Sequence, residues 1–451
     1  MVQRHNTPQT PLKQTSTLHK VLLLVVGFFL PGILLAWAGS TSVKTSSSAA
    51  KKTASPAPYT GPVTAIINAH IHPMTTASFK GTILLQSGRV KALGKTLTPP
   101  QGAKIIDAKG KPVTPGIALS NTSLGLVEIS LEKSTRNAAM KTHAPIRAAF
   151  RAIDGFDPSS TTIPIARIEG ITTAILRPRG GIISGQSAFV RLWGLGEASH
   201  IKTPLAVHAS LRDGHVAHTW LRLRQLFSDT RMWMKGANTS TNGHHRTLGA
   251  GVLDLKVMAK VVKRELPFVL EVHRAIDILN AIKFAKQQKI KLVISGASEA
   301  WRVAKQLAKH NIPVLLGPLR NLPRSFSRLG SRYDNAALLH KAGVLFALGA
   351  GGGAHHIRHI RQYAGQAVSY GLPHKAAMKA ITHNLFRIYG LHQQAGALTP
   401  GMEANVVLWS GDPLELSTIA KQVWISGNMI PMRSRQTLLR DRYLKRLKLK
   451  K

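Results

Sequence analysis

At 451 residues with 44% hydrophobic content, the chain is long enough to bury a large core, and length alone implies one large domain with a satellite. Its 61 Lys and Arg against 19 Asp and Glu give a formal net charge of +42, a balance that suits nucleic acid, an anionic membrane surface or acidic partners. The basic residues run along the whole chain without an RNP, zinc-finger or basic-zipper pattern, so a generally basic surface is expected and no nucleic-acid partner. The absence of cysteine excludes disulfides as a source of stability.

Residues 1–20 are polar and carry Arg4, Lys13 and Lys20. Val21–Ala38 is an apolar run, interrupted by Pro31-Gly32 and closed by Ala36-Trp37-Ala38. Basic start, apolar middle and small-x-small end read as a signal peptide over 1–38, which makes the protein exported, in the periplasm or cell envelope. An uncleaved membrane anchor is the alternative, since about 18 apolar residues reach the lower limit for a bilayer span. Residues 39–62, rich in Ser, Thr, Lys and Pro, are expected to be a flexible linker.

Residues 63–114 alternate short strands and turns. Ala65–Ala69 and Thr82–Gln86 are strands, and Ser87-Gly88 turns the chain into Arg89–Leu93, as in the first part of a small β-sandwich. Over 115–395 the texture becomes apolar strands (Phe268–His273, Lys291–Ser295, Pro313–Pro318, Val344–Ala350) alternating with amphipathic helices. Ala275, Leu279 and Ile282 mark one helix face, and Trp301, Ala304 and Ala308 another. Strand–helix units in series predict an α/β fold, a (β/α)8 TIM-like barrel, though a doubly wound sheet has the same local pattern. Residues 396–431 return to strands, Asn405–Trp409 and Gln422–Ser426, so the sandwich is expected to be composite, built by both ends of the chain. The tail 432–451 holds nine Lys or Arg among leucines and only Asp441 as an acid; it reads as a solvated helix or one lying on a membrane surface.

Several motifs in order resemble the amidohydrolase superfamily, in particular its imidazolonepropionase-like exported members. Ala103–Gly116 resembles the approach to the first barrel strand, and Glu169-Gly170-Ile171-Thr172-Thr173 the turn before the second. His273-Arg274-Ala275-Ile276-Asp277-Ile278 resembles the H-R-A-D-D-I end of the fifth, and Gly396 to Glu415 resembles the closing return strand and G-D-P. The resemblance spans residues 63–430 and implies the barrel with its β partner. It also implies hydrolysis of C–N and related bonds by a water activated on one or two divalent metals, held by histidines and a carboxylate.

The residues that would hold the metal are largely missing. Where the family has H-x-H the chain has Asn121 and Ser123; Gly296 stands at the strand-six His, and Gly351 at the strand-eight Asp. His273 is kept, with Glu271 as the alternative residue to align with the ligand, and the bridging Lys of strand four is not identifiable. An amide or hydroxyl binds a divalent transition ion far more weakly than imidazole or carboxylate, and glycine offers no side chain. The expected protein is a pseudoenzyme: a binding or scaffold barrel with no metal and no cofactor. The alternative is an active hydrolase on C–N bonds (non-peptide or dipeptide-like) with Zn or another divalent metal relocated to His273, His355, His356 and His359. A third candidate uses Gly351, Gly352, Gly353 and Arg358 as an anion site. The Arg177–Gln186 loop is a further candidate for the pocket wall. The expected partner is a small anionic or amide-containing ligand; membrane contact would come only from an uncleaved signal or the basic tail.

Overall fold

The computed structural model describes residues 60–211, 214–236, 248–351, 353 and 356–447. The signal-like run, the linker up to residue 59, Gly352 and His355 lie outside the described residues. All described residues belong to one unit, Pro56–Lys451.

β1 (Thr64–Ile71) pairs antiparallel with β2 (Phe79–Gln86), and β2 with β3 (Arg89–Gly94). The turn between them puts Ser87 and Gly88 both at positive φ, 51° and 75°, the backbone that matches the twist of a two-residue hairpin. β4 (Lys104–Asp107) and β5 (Pro112–Pro115) both run parallel to β1. From the far end of the chain, β14 (Val406–Trp409), β15 (Ala420–Ile425) and β16 (Asn428–Met429) continue the sheet beyond β5. Both ends of the chain therefore meet in one hydrogen-bonded, eight-stranded sheet that branches at β1. Trp409 ties it to the rest: its indole N–H donates to Thr114 Oγ1 at 2.8 Å, and a Cβ at Gly170 would lie 2.5 Å from its ring.

The second eight-stranded sheet is the TIM-like barrel. In chain order its strands are β6 (Ile117–Thr122), β7 (Ile171–Leu176), β8 (Ile183–Arg191), β9 (His200–Ser210), β10 (Phe268–Val272), β11 (Leu292–Gly296), β12 (Val314–Leu316) and β13 (Phe346–Leu348), each hydrogen-bonded to the next. β13 returns beside β6, where a Cβ at Gly349 would stand 2.7 Å from Ser120 Oγ. Around it lie α1 (Thr162–Arg167), α2 (Val216–Met234), α3 (Val252–Val262), α4 (Ala275–Gln288), α5 (Ala304–Lys309), α6 (Asn335–Lys341), α7 (Ile360–Ser369), α8 (His374–Ala380) and α9 (His383–Ile388). α10 (Arg435–Arg446) follows the last strand of the first sheet.

One strand departs from the expected (β/α)8 plan: β8 is antiparallel to both β7 and β9. The reason is the connection Arg177–Ile182, which turns through Gly180 and Gly181 at φ +88° and +69°. A parallel crossover needs a dozen or more residues, so this short glycine turn can only make a hairpin.

Every barrel strand contributes to one interior layer: Ala118, Ile175, Phe189, Ala206, Val269, Val293, Leu315 and Ala347. Phe386 and Leu385 of α9 close it from below, with the Phe189 and Phe386 rings 4.8 Å apart. Fully buried apolar side chains are worth roughly 1.5–3 kcal/mol each, so this layer is a rigid floor. Residues one strand repeat further along stand above it, at the C-terminal mouth.

Candidate functional site

A cavity of about 540 Å³ opens at that mouth. Its walls carry Ser120 and Asn121 from β6, Ser210 from β9, Glu271 from β10 and Ser295 and Gly296 from β11. Pairing in register sets Ser210, Glu271 and Ser295 side by side at one level. Arg177 and Arg179 enter from the β7–β8 hairpin, and Arg320, Arg324 and Arg328 from the loop after β12.

Among the described residues Glu271 is the only carboxylate on the wall, against five arginines. Its Oε2 accepts a short hydrogen bond from Arg177 Nη2 and lies 3.4 Å from Ser210 Oγ. Its Oε1 faces His273 Nε2 at 3.8 Å and Arg328 Nη2 at 4.0 Å. Burial alone would raise the Glu271 acid, but the adjacent His273 ring and the Arg177 guanidinium outweigh it and hold the carboxyl far below its ordinary range. Burial lowers Arg179, and its neighbour Arg177 adds to the shift by like-charge repulsion. Beneath them His208 is fully enclosed and pushed down to about 3, mainly by burial and then by Arg177, which leaves it a neutral imidazole. Asn121 Oδ1, His273 Nε2 and the Nε atoms of Arg177 and Arg328 are buried without hydrogen-bond partners. Such unsatisfied groups at a cavity wall are costly unless a ligand or water meets them.

The four positions expected to replace the metal ligands do not share one fate. Asn121 is on the wall, and its amide N–H donates to Ser295 Oγ at 2.8 Å. Asn121 itself has φ 50°, and the β6–β7 register shifts there. The i, i+2 alternation of an H-x-H pair is thereby lost: Ser123 is buried in the following turn, its carbonyl accepting from Leu126 and Val127, and it does not line the cavity. Gly296, at φ +84°, lies under the His273 ring; a Cβ there would be 2.5 Å from His273 Cε1. Gly351, at φ +88°, is on the wall beside Pro318.

Of the four histidines considered for a relocated metal, His273 and His356 reach the cavity. His273 Nδ1 is 2.9 Å from Ser298 Oγ. His359 is not on the wall; its ring lies 5.9 Å from His356 and edge-on to Tyr363. Burial, then Arg358 and His356, lower the His359 ring. A 3-10 turn, Ile357–His359, precedes α7, so the helical face that would pair His355 with His359 does not appear among the described residues. Gly351 and Gly353 line the cavity, but Arg358 is exposed and not on the wall. The positive charge at the mouth comes instead from Arg177, Arg179 and the β12 loop. Arg320, Arg324 and Arg328 escaped sequence reasoning, although their repeat every four residues in a strand-to-helix loop was a usable signal.

The amidohydrolase family model matches residues 243–430. A crystal structure of an amidohydrolase from Thermotoga maritima MSB8 superposes with a TM-score of 0.75 at 27% identity, over 82% of this chain and 100% of that one. The chain belongs to the amidohydrolase superfamily. A second solved structure, of molinate hydrolase, shares the fold at TM-score 0.53 and 15% identity, over 82% of this chain and 95% of that one. In sequence, 70 residues are 34% identical to the amidohydrolase tasK of Hapsidospora irregularis, a match to 16% of this chain and only 7% of that much longer protein.

The superfamily fold implies a divalent metal at this mouth, and the residues present do not fit one. Among the described residues no three His, Cys, Asp or Glu converge. The one carboxylate among them is engaged by a guanidinium, Asn121 offers only an amide oxygen, a far weaker ligand than imidazole, and His273 fills the space a side chain at residue 296 would need.

Proposed function

We propose that this amidohydrolase barrel binds a small, multiply anionic ligand at its mouth and has given up the metal-dependent hydrolase centre. One observation carries the reading: Arg177 takes the charge of Glu271, the only carboxylate on the wall among the described residues, which leaves Arg179, Arg320 and Arg324 with no second acid among those residues. Arginine forks recognise carboxylate and phosphate in bidentate geometry, and the Ser120, Ser184, Ser210 and Ser295 hydroxyls offer further donors. Among the described residues no aromatic side chain apart from His273 and His356 lines the cavity, so a compact polar anion fits it better than a flat ring system. The signal-like Val21–Ala38 run supports a setting outside the cytoplasm, in the periplasm or envelope. Metal analysis of the purified full chain together with calorimetric titration of phosphate and citrate tests the reading. Less than a tenth of an equivalent of Zn and saturable anion binding, on the order of millimolar or tighter, support it; stoichiometric metal overturns it.

A second reading, hydrolysis of a C–N bond with relocated groups, draws on superfamily membership and on the His273–Ser298 contact beside the cavity. It requires turnover of an amide or dipeptide-like substrate that His273→Ala abolishes.

A further inference from the structure

The C-terminal helix α10 turns its apolar side chains away from the protein. It starts at a capping box, in which Thr437 N–H donates to Ser434 Oγ at 3.4 Å and Ser434 N–H to Thr437 Oγ1 at 2.8 Å. None of its residues is buried. At about 100° per residue, Thr437, Asp441 and Leu444 share one face, and these are its half-covered positions. Leu439 and Tyr443 occupy the opposite face, flanked by Leu438 and Leu447, with exposures of 37%, 55%, 54% and 66%. Arg435, Arg442 and Arg446 lie between them, and the Arg446 guanidinium reaches over the Tyr443 ring at 5.9 Å.

This face mixes exposed leucines and a tyrosine with arginines and packs against none of the described core. A 12-residue helix is marginal by itself, so cover on the apolar stripe would add much of its stability. A second copy is a poor occupant, because each chain carries a net charge of +42. Nucleic acid would use the arginines but leave the leucines in water. An anionic bilayer uses both: leucines and tyrosine sink into the boundary of headgroups and chains, while arginines pair with phosphates from the same face.

We infer that α10 is an interfacial membrane-binding helix that docks this protein on anionic lipid, lying parallel to the bilayer. The nine Lys and Arg from residue 433 to the end, against Asp441 alone, set the preference for anionic headgroups.

The test is sedimentation of the full-length protein with vesicles of phosphatidylcholine alone or with phosphatidylglycerol added. Binding to the anionic vesicles is expected to be at least about tenfold tighter and to fall as salt rises. Leu439→Glu/Tyr443→Glu should weaken it about tenfold with an unchanged melting temperature and unchanged citrate binding at the barrel mouth. Because wild type and variant share the Val21–Ala38 run and nearly the whole net charge, equal binding by the two would overturn the inference. So would preference for neutral lipid, or a wild-type dimer that the double substitution dissociates, which would make a second copy the occupant.

Discussion

Glu271→Gln separates charge from shape at the barrel mouth, because the side chains match in size. The substitution removes the partner of Arg177, in a pair whose side chains are 18% and 23% exposed. Breaking a fully buried pair costs about 3–5 kcal/mol and an exposed one under about 1, so a destabilisation of about 2 kcal/mol is expected at neutral pH. Anion binding should move the other way. A cavity of 540 Å³ has the volume of a sphere of about 5 Å radius, so a bound anion sits about 5 Å from the lost carboxylate. With an effective dielectric of about 20 the relieved repulsion is about 3 kcal/mol, and halving that for the open side leaves roughly a tenfold gain in affinity. Glu271 is held below its ordinary value of 4.5, so its contribution to stability is complete above that pH and is lost only as the pH falls through the depressed folded value. The stability gap between wild type and variant should therefore persist between pH 5 and pH 7, a window set by that ordinary value, and close in strong acid. Urea unfolding across pH and citrate titration at fixed ionic strength measure both effects. Citrate affinity that is unchanged or lower in the variant would refute the idea of a cationic site muted by one carboxylate.

Three further outcomes follow from the same geometry. Arg324→Ala/Arg328→Ala should weaken citrate binding by about tenfold and flatten its salt dependence, read by calorimetry, since each removes a guanidinium from the wall. Gly296→His, the residue the superfamily carries there, should cost about 3 kcal/mol in a thermal melt and bind no Zn, because its Cβ meets the His273 ring at 2.5 Å and its φ is +84°. His208 is pushed down to about 3 by burial, so unfolding lets it take up a proton below pH 6.5; stability should fall by about 1.4 kcal/mol per pH unit from 6.5 towards 3, and His208→Asn should flatten that slope.

The fold was largely legible because barrel strands leave a strong pattern. Phe268–Val272 and Leu292–Gly296 are apolar but for Glu271 and Ser295 near their ends, and a helix lies between them as expected. Its buried face runs through Ile278, Ala281, Ile282 and Ala285, whereas of the expected Ala275, Leu279 and Ile282 only Ile282 is buried and Leu279 is exposed. The reversal of β8 was not legible. Its nine residues read as any buried strand, and direction depends on the length of the Arg177–Ile182 connection, which periodicity does not encode. At the site, Asn121, Gly296 and Gly351 were found by position in the motif, and all three reach the cavity. Ser123 did not, because a left-handed Asn121 resets the alternation on which the H-x-H comparison depends. The β12 loop arginines were passed over by a search for metal ligands, although their four-residue spacing after a barrel strand was there to be read as a charge signal.

The departures from a metal site depend on one another. His273 lies over Gly296, so a ligand histidine at 296 requires the His273 ring to leave, and with it the contact to Ser298. A metal near Glu271 must first displace Arg177, whose guanidinium supplies the positive charge that a divalent ion would bring. Asn121 donates to Ser295 from a left-handed backbone, and a histidine in its place would have to replace that hydrogen bond and fit a larger ring beside Ser295. Restoring one ligand leaves the others blocked while adding strain, so single reversions such as Asn121→His should lose stability and gain no metal. Arg177→Ala/Asn121→His/His273→Gly/Gly296→His, which frees the carboxylate, clears the space over residue 296 and supplies two imidazoles together, is the least change expected to raise Zn retention in equilibrium dialysis. Zn uptake by Asn121→His alone would show that the cationic mouth is a thin overlay on an intact metal site.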